Sequence, residues 1–248
     1  MEHLALQTPD GFSLDANYYK GTNDIGIVFC HGLRWFKEGE EPFVKAAEEL
    51  NQHGFSTLLF DFRGHGKSSG DSAQDFTITG QLADIATAIA FLKQHNTKTI
   101  YLAGASFGAG AAVLYAAKHP EIKKLLLANP SLDYDRTITK HFQHQLPLLE
   151  TQGYIEAGSR KFKLGKKLFE ELQQFSPDKE LERITCDLLI IHGDMDTRIA
   201  HQGVVEIFEK LTNPKKKFSL ILGADHGFHV EPFTSQAAEL IINFFSTS

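Results

Sequence analysis

The chain has 248 residues, a length at which one α/β domain can bury a large core without disulfide or metal staples. Its 42% hydrophobic and 23% charged residues exclude a disordered chain and a bundle of membrane helices. The 25 lysines and arginines against 31 aspartates and glutamates give a net charge of −6. This acidic balance argues against sequence-independent binding of nucleic acid, which depends on neutralising phosphates.

The two cysteines, Cys30 and Cys186, lie in apolar segments and predict small buried hydrophobes rather than a disulfide framework or a zinc site. The N-terminal segment has neither the basic nor the apolar region of a signal peptide. The uncharged stretch 99–117 is too rich in glycine and alanine to predict a membrane span. We therefore expect a cytoplasmic protein without a membrane span, a metal or a cofactor.

Strand-like and helix-like segments alternate along the first half of the chain. Two short strands are predicted within residues 3–19, around a Pro-Asp-Gly turn. Short apolar runs predict buried strands at 25–30, 56–62, 99–103 and 122–128. Apolar residues at helical spacing predict helices at 42–52, 79–93 and 107–118.

The alternation is interrupted after residue 130. Residues 131–181 are polar and aromatic and contain no strand-like apolar run. The pattern then resumes with strands at 187–191 and 217–222 and helices at 202–211 and 235–245. It predicts an α/β fold with a mostly parallel sheet and helices on both faces. The core domain would comprise residues 1–130 and 182–248, and residues 131–181 would form a small helical cap over the sheet edge where ligands bind.

A glycine-bracketed serine stands between a predicted strand and a predicted helix, in the sequence Gly104-Ala105-Ser106-Phe107-Gly108. This is the context of the G-x-S-x-G turn, in which the glycines allow a tight bend that lifts the serine hydroxyl. The helix N-terminus behind it offers free N–H groups to a developing oxyanion. The motif predicts a nucleophilic serine.

A serine hydroxyl needs a base, and the base needs an acid to orient it. In this architecture they follow in the order serine, acid, histidine. Asp196 follows one predicted strand and His226 follows the next, so both belong to the sheet edge that carries Ser106. The expected triad is Ser106, Asp196 and His226.

Neighbouring residues are the alternatives for these two roles. Asp194 lies two residues before Asp196 and is the rival acid. Asp225 adjoins His226 and is expected to point elsewhere on most turn geometries. His229 is the weaker candidate base, because His226 follows the predicted strand more closely.

Taken together, the motifs resemble those of serine hydrolases of the α/β-hydrolase superfamily. The similarity is to cinnamoyl (feruloyl) esterases and to serine-aminopeptidase-like and monoglyceride-lipase-like hydrolases. The matching segments are His31-Gly32-Leu33, Asp61–Ser68, the turn at Ser106, Gly193–Asp196 and Gly223–His226.

The resemblance implies a role for each matching residue. Ser106 would be the nucleophile, His226 the general base and then acid, and Asp196 the residue that orients His226. The backbone N–H groups of Leu33 and Phe107 would form the oxyanion hole.

The cap supplies many aromatic residues and a run of basic ones. We expect His31, Phe142, Phe162 and Phe169 to contribute to an apolar substrate pocket. The basic run consists of Arg160, Lys161, Lys163, Lys166 and Lys167. It is typical of a solvated helix face, and the alternative is electrostatic steering of anionic esters.

The predicted function is hydrolysis of small to medium acyl or aryl esters, hydroxycinnamoyl esters among them, through an acyl-enzyme. Thioesterase, amidase, lipase and acyltransferase activities use the same residues and stay open, as does a non-catalytic ligand-binding role. The expected partner is a small-molecule ester; a homodimer is left open.

Overall fold

The computed structural model describes residues 1–247, and most of the chain forms one eight-stranded sheet with flanking helices. The strands are β1 (Glu2–Gln7), β2 (Ser13–Tyr19), β3 (Ile25–Cys30), β4 (Ser56–Phe60), β5 (Thr99–Ala105), β6 (Ile122–Ala128), β7 (Tyr154–Ala157), β8 (Phe162–Gly165), β9 (Asp187–Gly193) and β10 (Lys216–Ile221). The helices are α1 (Glu41–Gln52), α2 (Ile78–Gln94), α3 (Ser106–Ala116), α4 (Pro147–Thr151), α5 (Lys166–Leu172), α6 (Pro177–Leu181), α7 (His201–Lys210) and α8 (Phe233–Ser246).

The strand order in the large sheet is β1-β2-β4-β3-β5-β6-β9-β10. The pairs β1-β2 and β2-β4 are antiparallel, and the five pairs from β4 to β10 are parallel. The predicted fold class, a mostly parallel sheet in an α/β-hydrolase arrangement, is confirmed. Because β5, β6, β9 and β10 are parallel neighbours, their carboxyl ends meet at one edge.

Alternate side chains of the sheet build two hydrophobic cores. Ile27 and Phe29 belong to the core that contains the apolar residues of α1 and α8. Val28 and Cys30 belong to the core on the other face, with α2 and α3. This alternation follows from the two-residue period of a strand, and it explains why β3 is apolar throughout.

Several element ends differ from the sequence-based expectation. The strand predicted to reach residue 62 ends at Phe60, and the Asp61 side chain after it accepts hydrogen bonds from the N–H groups of Lys37 and Lys67. β5 continues to Ala105, which pairs with Ala128 of β6. α3 then begins directly at Ser106, without an intervening loop.

The segment between β6 and β9 contains an antiparallel hairpin, β7-β8, in addition to the short helices α4, α5 and α6. The sequence did not predict these strands, since each is only four residues long. Ile155 pairs with Leu164, and both are buried. The hairpin therefore adds to the helices expected in residues 131–181.

Candidate active site

Ser106 occupies a strained turn at the junction of β5 and α3. Its φ of 51° lies in the left-handed region, which an L-residue with a side chain adopts at a cost. A side chain at Gly104 would come within 2.6 Å of the Gly108 carbonyl oxygen, and one at Gly108 would overlap the His31 carbonyl oxygen. The two glycines let strand and helix approach closely enough to present the hydroxyl at the sheet edge.

Ser106, His226 and Asp196 form a hydrogen-bonded chain past the carboxyl ends of β5, β10 and β9. His226 Nε2 lies 3.0 Å from Ser106 Oγ, and His226 Nδ1 lies 2.7 Å from Asp196 Oδ2. Because a carboxylate can only accept, Nδ1–H donates to Asp196 and leaves Nε2 free to accept the serine proton. This arrangement suits abstraction of a proton from the serine.

Backbone and side-chain donors hold the Asp196 carboxylate in place. Its Oδ1 accepts the N–H groups of Arg198 and Ile199, each at 2.9 Å. His192 Nε2 lies 3.2 Å from Oδ2. Burial alone would raise the pKa of Asp196, but hydrogen bonds from His192 and His226 outweigh it and bring this pKa below its usual range. The carboxylate therefore stays ionised beside His226.

The alternative residues occupy other positions. Asp194 Oδ1 accepts the N–H of Gly223 at 2.6 Å, which joins the loops after β9 and β10. Asp225 is exposed. The ring of His229 lies 5.1 Å from that of Trp35, centroid to centroid. Within residues 1–247, Ser106 and Asp196 are the only hydrogen-bond partners of the His226 ring.

Leu33 and Phe107 lie beside Ser106 on the wall of the same cavity. The N–H of Phe107 belongs to the first turn of α3, where helix N–H groups lack intrahelical acceptors. In the part of the chain that the structure describes, the N–H of Leu33 has no hydrogen-bond acceptor, whereas its neighbour Gly32 donates to Glu40. Two backbone donors thus remain available near the serine.

Glu40 is a buried acid that the sequence analysis missed. It lines the cavity, and its Oε1 accepts the Gly32 N–H at 2.8 Å. Burial raises the pKa of Glu40 to about 7, against the opposing effect of the Gly32 hydrogen bond. No sequence signal distinguished it, since an acid before a helix is typical of a solvated helix N-terminus.

The cavity at Ser106 has a volume of ≈ 200 Å³. Of the expected pocket residues, Phe142 lines it, and His31, Phe162 and Phe169 do not. His31 is buried outside the cavity wall, where its Nε2 accepts the Phe62 N–H at 3.0 Å. Phe162 packs on the ring of His65, 4.4 Å away between centroids.

The remaining expected residue, Phe169, is buried 6.4 Å from the ring of Phe142, between centroids. The cavity wall includes residues that the sequence analysis did not select: Arg34, Trp35, Ile138, Arg198 and Phe228. They come from four separate segments of the chain, so no local pattern connects them.

A family model described as serine aminopeptidase, S33, matches residues 22–157, which is more than half of the chain. The chain belongs to this family. The match and the fold confirm the resemblance to the α/β-hydrolase superfamily. No helix among residues 1–247 combines the length and the apolar character needed to cross a bilayer.

The curated relatives of this S33 family member include hydrolases of two kinds. Thiohydrolase aneE of Aspergillus aculeatus is 31% identical over 130 residues, covering 51% of this chain and 40% of the relative. Monoacylglycerol lipase ABHD6 of Rattus norvegicus is 27% identical over 213 residues, covering 77% of this chain and 59% of the relative. The chain therefore spans between two fifths and three fifths of the length of these relatives.

Solved structures share the fold over nearly the whole chain. Est1E of Butyrivibrio proteoclasticus, solved with ferulic acid bound, is 24% identical with a TM-score of 0.79, covering 98% of this chain and 100% of that one. A monoacylglycerol lipase of Paleococcus ferrophilus is 20% identical with a TM-score of 0.75, covering 93% and 99%. At these identities the likeness establishes the fold alone.

Proposed function

We propose that this S33 family member is a serine carboxylesterase that cleaves small to medium acyl or aryl esters. The observation that carries the proposal is the alignment of Ser106 Oγ, the His226 ring and the Asp196 carboxylate, at 3.0 and 2.7 Å. A base within hydrogen-bond distance of a serine, and oriented by an ionised acid, is the arrangement that nucleophilic catalysis requires.

In the proposed reaction, Ser106 Oγ attacks the ester carbonyl carbon while its proton passes to His226 Nε2. The carbonyl oxygen becomes an oxyanion that accepts the N–H groups of Leu33 and Phe107. His226 then donates the proton to the leaving alcohol oxygen as its bond to carbon breaks, which leaves an acyl-enzyme. Water then attacks the acyl-enzyme through the same two steps, which releases the carboxylic acid and restores the Ser106 hydroxyl.

Labelling with a fluorophosphonate probe tests the nucleophile. We expect the wild-type protein to be labelled, Ser106→Ala to stay unlabelled, and Ser235→Ala, which changes an exposed serine of α8, to be labelled like wild type. Circular dichroism would confirm that each variant is folded. A folded wild-type protein that resists labelling would refute the proposal and favour a ligand-binding role.

A hydrolysis panel tests the bond type. Nitrophenyl, hydroxycinnamoyl and glyceryl esters would be compared with thioesters and aminoacyl amides at equal concentration. Thioesters are included because one relative is named a thiohydrolase. We expect the highest kcat/KM for oxygen esters, and a higher value for thioesters or amides would reassign the activity while keeping the triad.

A further inference from the structure

Two arginine side chains contribute to the wall of the Ser106 cavity. Arg34 follows Leu33 in the loop after β3, and Arg198 lies two residues after Asp196 in the loop after β9. Burial lowers the pKa of Arg34, and the positive charge of Arg198 lowers it further. A guanidinium nevertheless stays protonated near neutral pH.

Within residues 1–247, neither of these guanidinium groups forms a salt bridge with an acid. Among the arginines of residues 1–247, salt bridges are formed by Arg63 and Arg183. Arg34 Nε is buried and has no hydrogen-bond partner in the same part of the chain. A buried donor such as Arg34 Nε is normally paired, because an unpaired one loses its hydration without compensation. Arg198 is exposed and stays hydrated.

Neither Glu40, which lines the cavity, nor Asp196, which binds His226, pairs with these arginines. Asp196 is occupied by His226, His192 and the backbone N–H groups of its own loop. Glu40 accepts the Gly32 N–H, and its raised pKa of about 7 leaves it partly uncharged at neutral pH. The cavity wall therefore keeps an excess of positive charge near the serine.

The surrounding backbone is shaped around Arg34. The residue adopts a φ of 64°, a left-handed conformation that costs free energy for any residue with a Cβ. Gly158, in the turn between β7 and β8, makes room for it, since a side chain there would overlap Arg34 Nη1. A strained residue facing a matched gap is typical of a functional position.

Part of the basic run predicted on the cap extends this positive surface. Lys166 lies 2.7 Å from Glu150, and Lys161 lies 3.9 Å from Glu156, so those two charges are balanced. Arg160 instead lies over the ring of Trp35, a cavity residue, at 5.4 Å. Arg160 therefore brings one positive charge of this run next to the cavity wall.

We propose that the natural substrate is an anionic ester, whose carboxylate or similar oxyanion group is bound by Arg34 and Arg198 while Ser106 attacks the ester carbonyl. The inference rests on the proposed esterase function and names its substrate class. Arginine suits this role because its planar fork can donate two parallel hydrogen bonds to one carboxylate.

Matched pairs of chromogenic esters test the inference in two arms. In the first arm, mono-4-nitrophenyl glutarate carries the carboxylate on the acyl side, and its methyl ester is the neutral control. In the second arm, 3-carboxy-4-nitrophenyl butyrate carries it on the leaving group, again with its methyl ester as control. We expect kcat/KM for the anionic ester to exceed that of its control by about tenfold in at least one arm.

The preferred arm is then measured in Arg34→Gln and Arg198→Gln, with Arg183→Gln, an exposed arginine paired with Glu180, as the matched control. Each cavity variant should lose about tenfold in kcat/KM on the anionic ester and little on the neutral one. High salt should reduce the preference of the wild type for the anionic ester, because salt screens the attraction between the arginines and the carboxylate. Equal rates on both esters in both arms, or parallel losses on both, would overturn the inference.

Binding can be followed without catalysis in Ser106→Ala. Trp35 is the single tryptophan of the chain and lines the cavity, so its fluorescence reports on occupancy. Glutarate should give a saturable change that Arg34→Gln weakens, and dimethyl glutarate should not.

The outcomes separate the two proposals. Anion binding by a protein that the fluorophosphonate does not label would refute the proposed esterase function but not the anion-binding role of the arginines. Activity on neutral esters without anion preference or binding would refute the anion inference alone.

Discussion

At the scale of single residues, two aspartates only two positions apart have different tasks. Asp196 accepts the Nδ1–H of His226, whereas Asp194 accepts the backbone N–H of Gly223. An asparagine at 196 would no longer provide the negative charge that stabilises the protonated ring. We expect Asp196→Asn to lower kcat by about a thousandfold or more.

Asp194→Asn is the matched comparison, because an asparagine oxygen can still accept the Gly223 N–H. Its kcat on a nitrophenyl ester should stay within about threefold of wild type, since one neutral acceptor replaces another at a loop contact. Comparable losses in the two variants would contradict the assignment of the acid.

Glu40 makes stability depend on pH in a defined direction. Burial raises its pKa from 4.5 in the unfolded chain to about 7 in the folded protein, so folding favours the protonated acid. The stability contributed by protonation is complete below about pH 4.5 and is lost as the pH rises through about 7.

Glu40→Gln removes this titration and keeps an oxygen that can accept the Gly32 N–H. The free energy of unfolding of the variant, relative to wild type, should therefore increase by up to about 3 kcal/mol between pH 4.5 and pH 8. Urea unfolding at several pH values measures the difference. A difference that stays constant with pH would show that Glu40 does not titrate in this range.

At the scale of elements, α3 must approach the end of β3 closely for the serine and the loop at Leu33 to meet. A methyl group at Gly108 would overlap the His31 carbonyl oxygen and come within 2.8 Å of that of Cys30. We expect Gly108→Ala to destabilise the protein by about 1–3 kcal/mol through overpacking. It should also lower kcat at least about tenfold, because a small displacement of the helix misplaces Ser106.

Gly153→Ala provides the control for this prediction. Gly153 has a φ of 81° and open space around its Cβ position, so the change adds backbone strain without a clash. It should cost about 1–2 kcal/mol of stability and leave kcat unchanged. A similar kcat loss in both variants would mean that the close approach of α3 to β3 is not required.

At the scale of the whole molecule, Arg63 connects three distant parts of the chain through a buried ion pair with Asp84 and a partly exposed one with Asp10. Arg63, after β4, donates from Nε and Nη2 to Asp84 of α2 at 2.9 and 2.7 Å. Its Nη1 donates to Asp10 in the β1-β2 turn at 2.6 Å. Asp84→Ala would leave a buried guanidinium without its main partner and should lower the free energy of unfolding by about 3–5 kcal/mol.

The control is Asp24→Ala, whose partner Lys98 lies 3.5 Å away with 82% of its side chain exposed. This surface pair should contribute less than about 1 kcal/mol. Urea is the appropriate denaturant for both variants, because it does not screen charges. Equal effects would show that burial of the Arg63–Asp84 pair is unimportant.

The sequence by itself determined the fold class and the order of the serine, acid and histidine loops. It could do so because strand and helix periodicity, and the glycines around Ser106, are local properties of neighbouring residues. The hairpin β7-β8 escaped prediction because its strands of four residues are too short to show a clear period.

Only the tertiary structure decided which side chains surround the serine. His226 is 120 positions from Ser106, and the two meet because the parallel order β5-β6-β9-β10 brings their loops to one edge. The burial of Glu40, and that of Arg34 Nε without a hydrogen-bond partner among residues 1–247, likewise depend on segments far apart in the chain. Burial and charge pairing are set by such distant contacts, whereas a sequence pattern records the periodicity of one segment at a time.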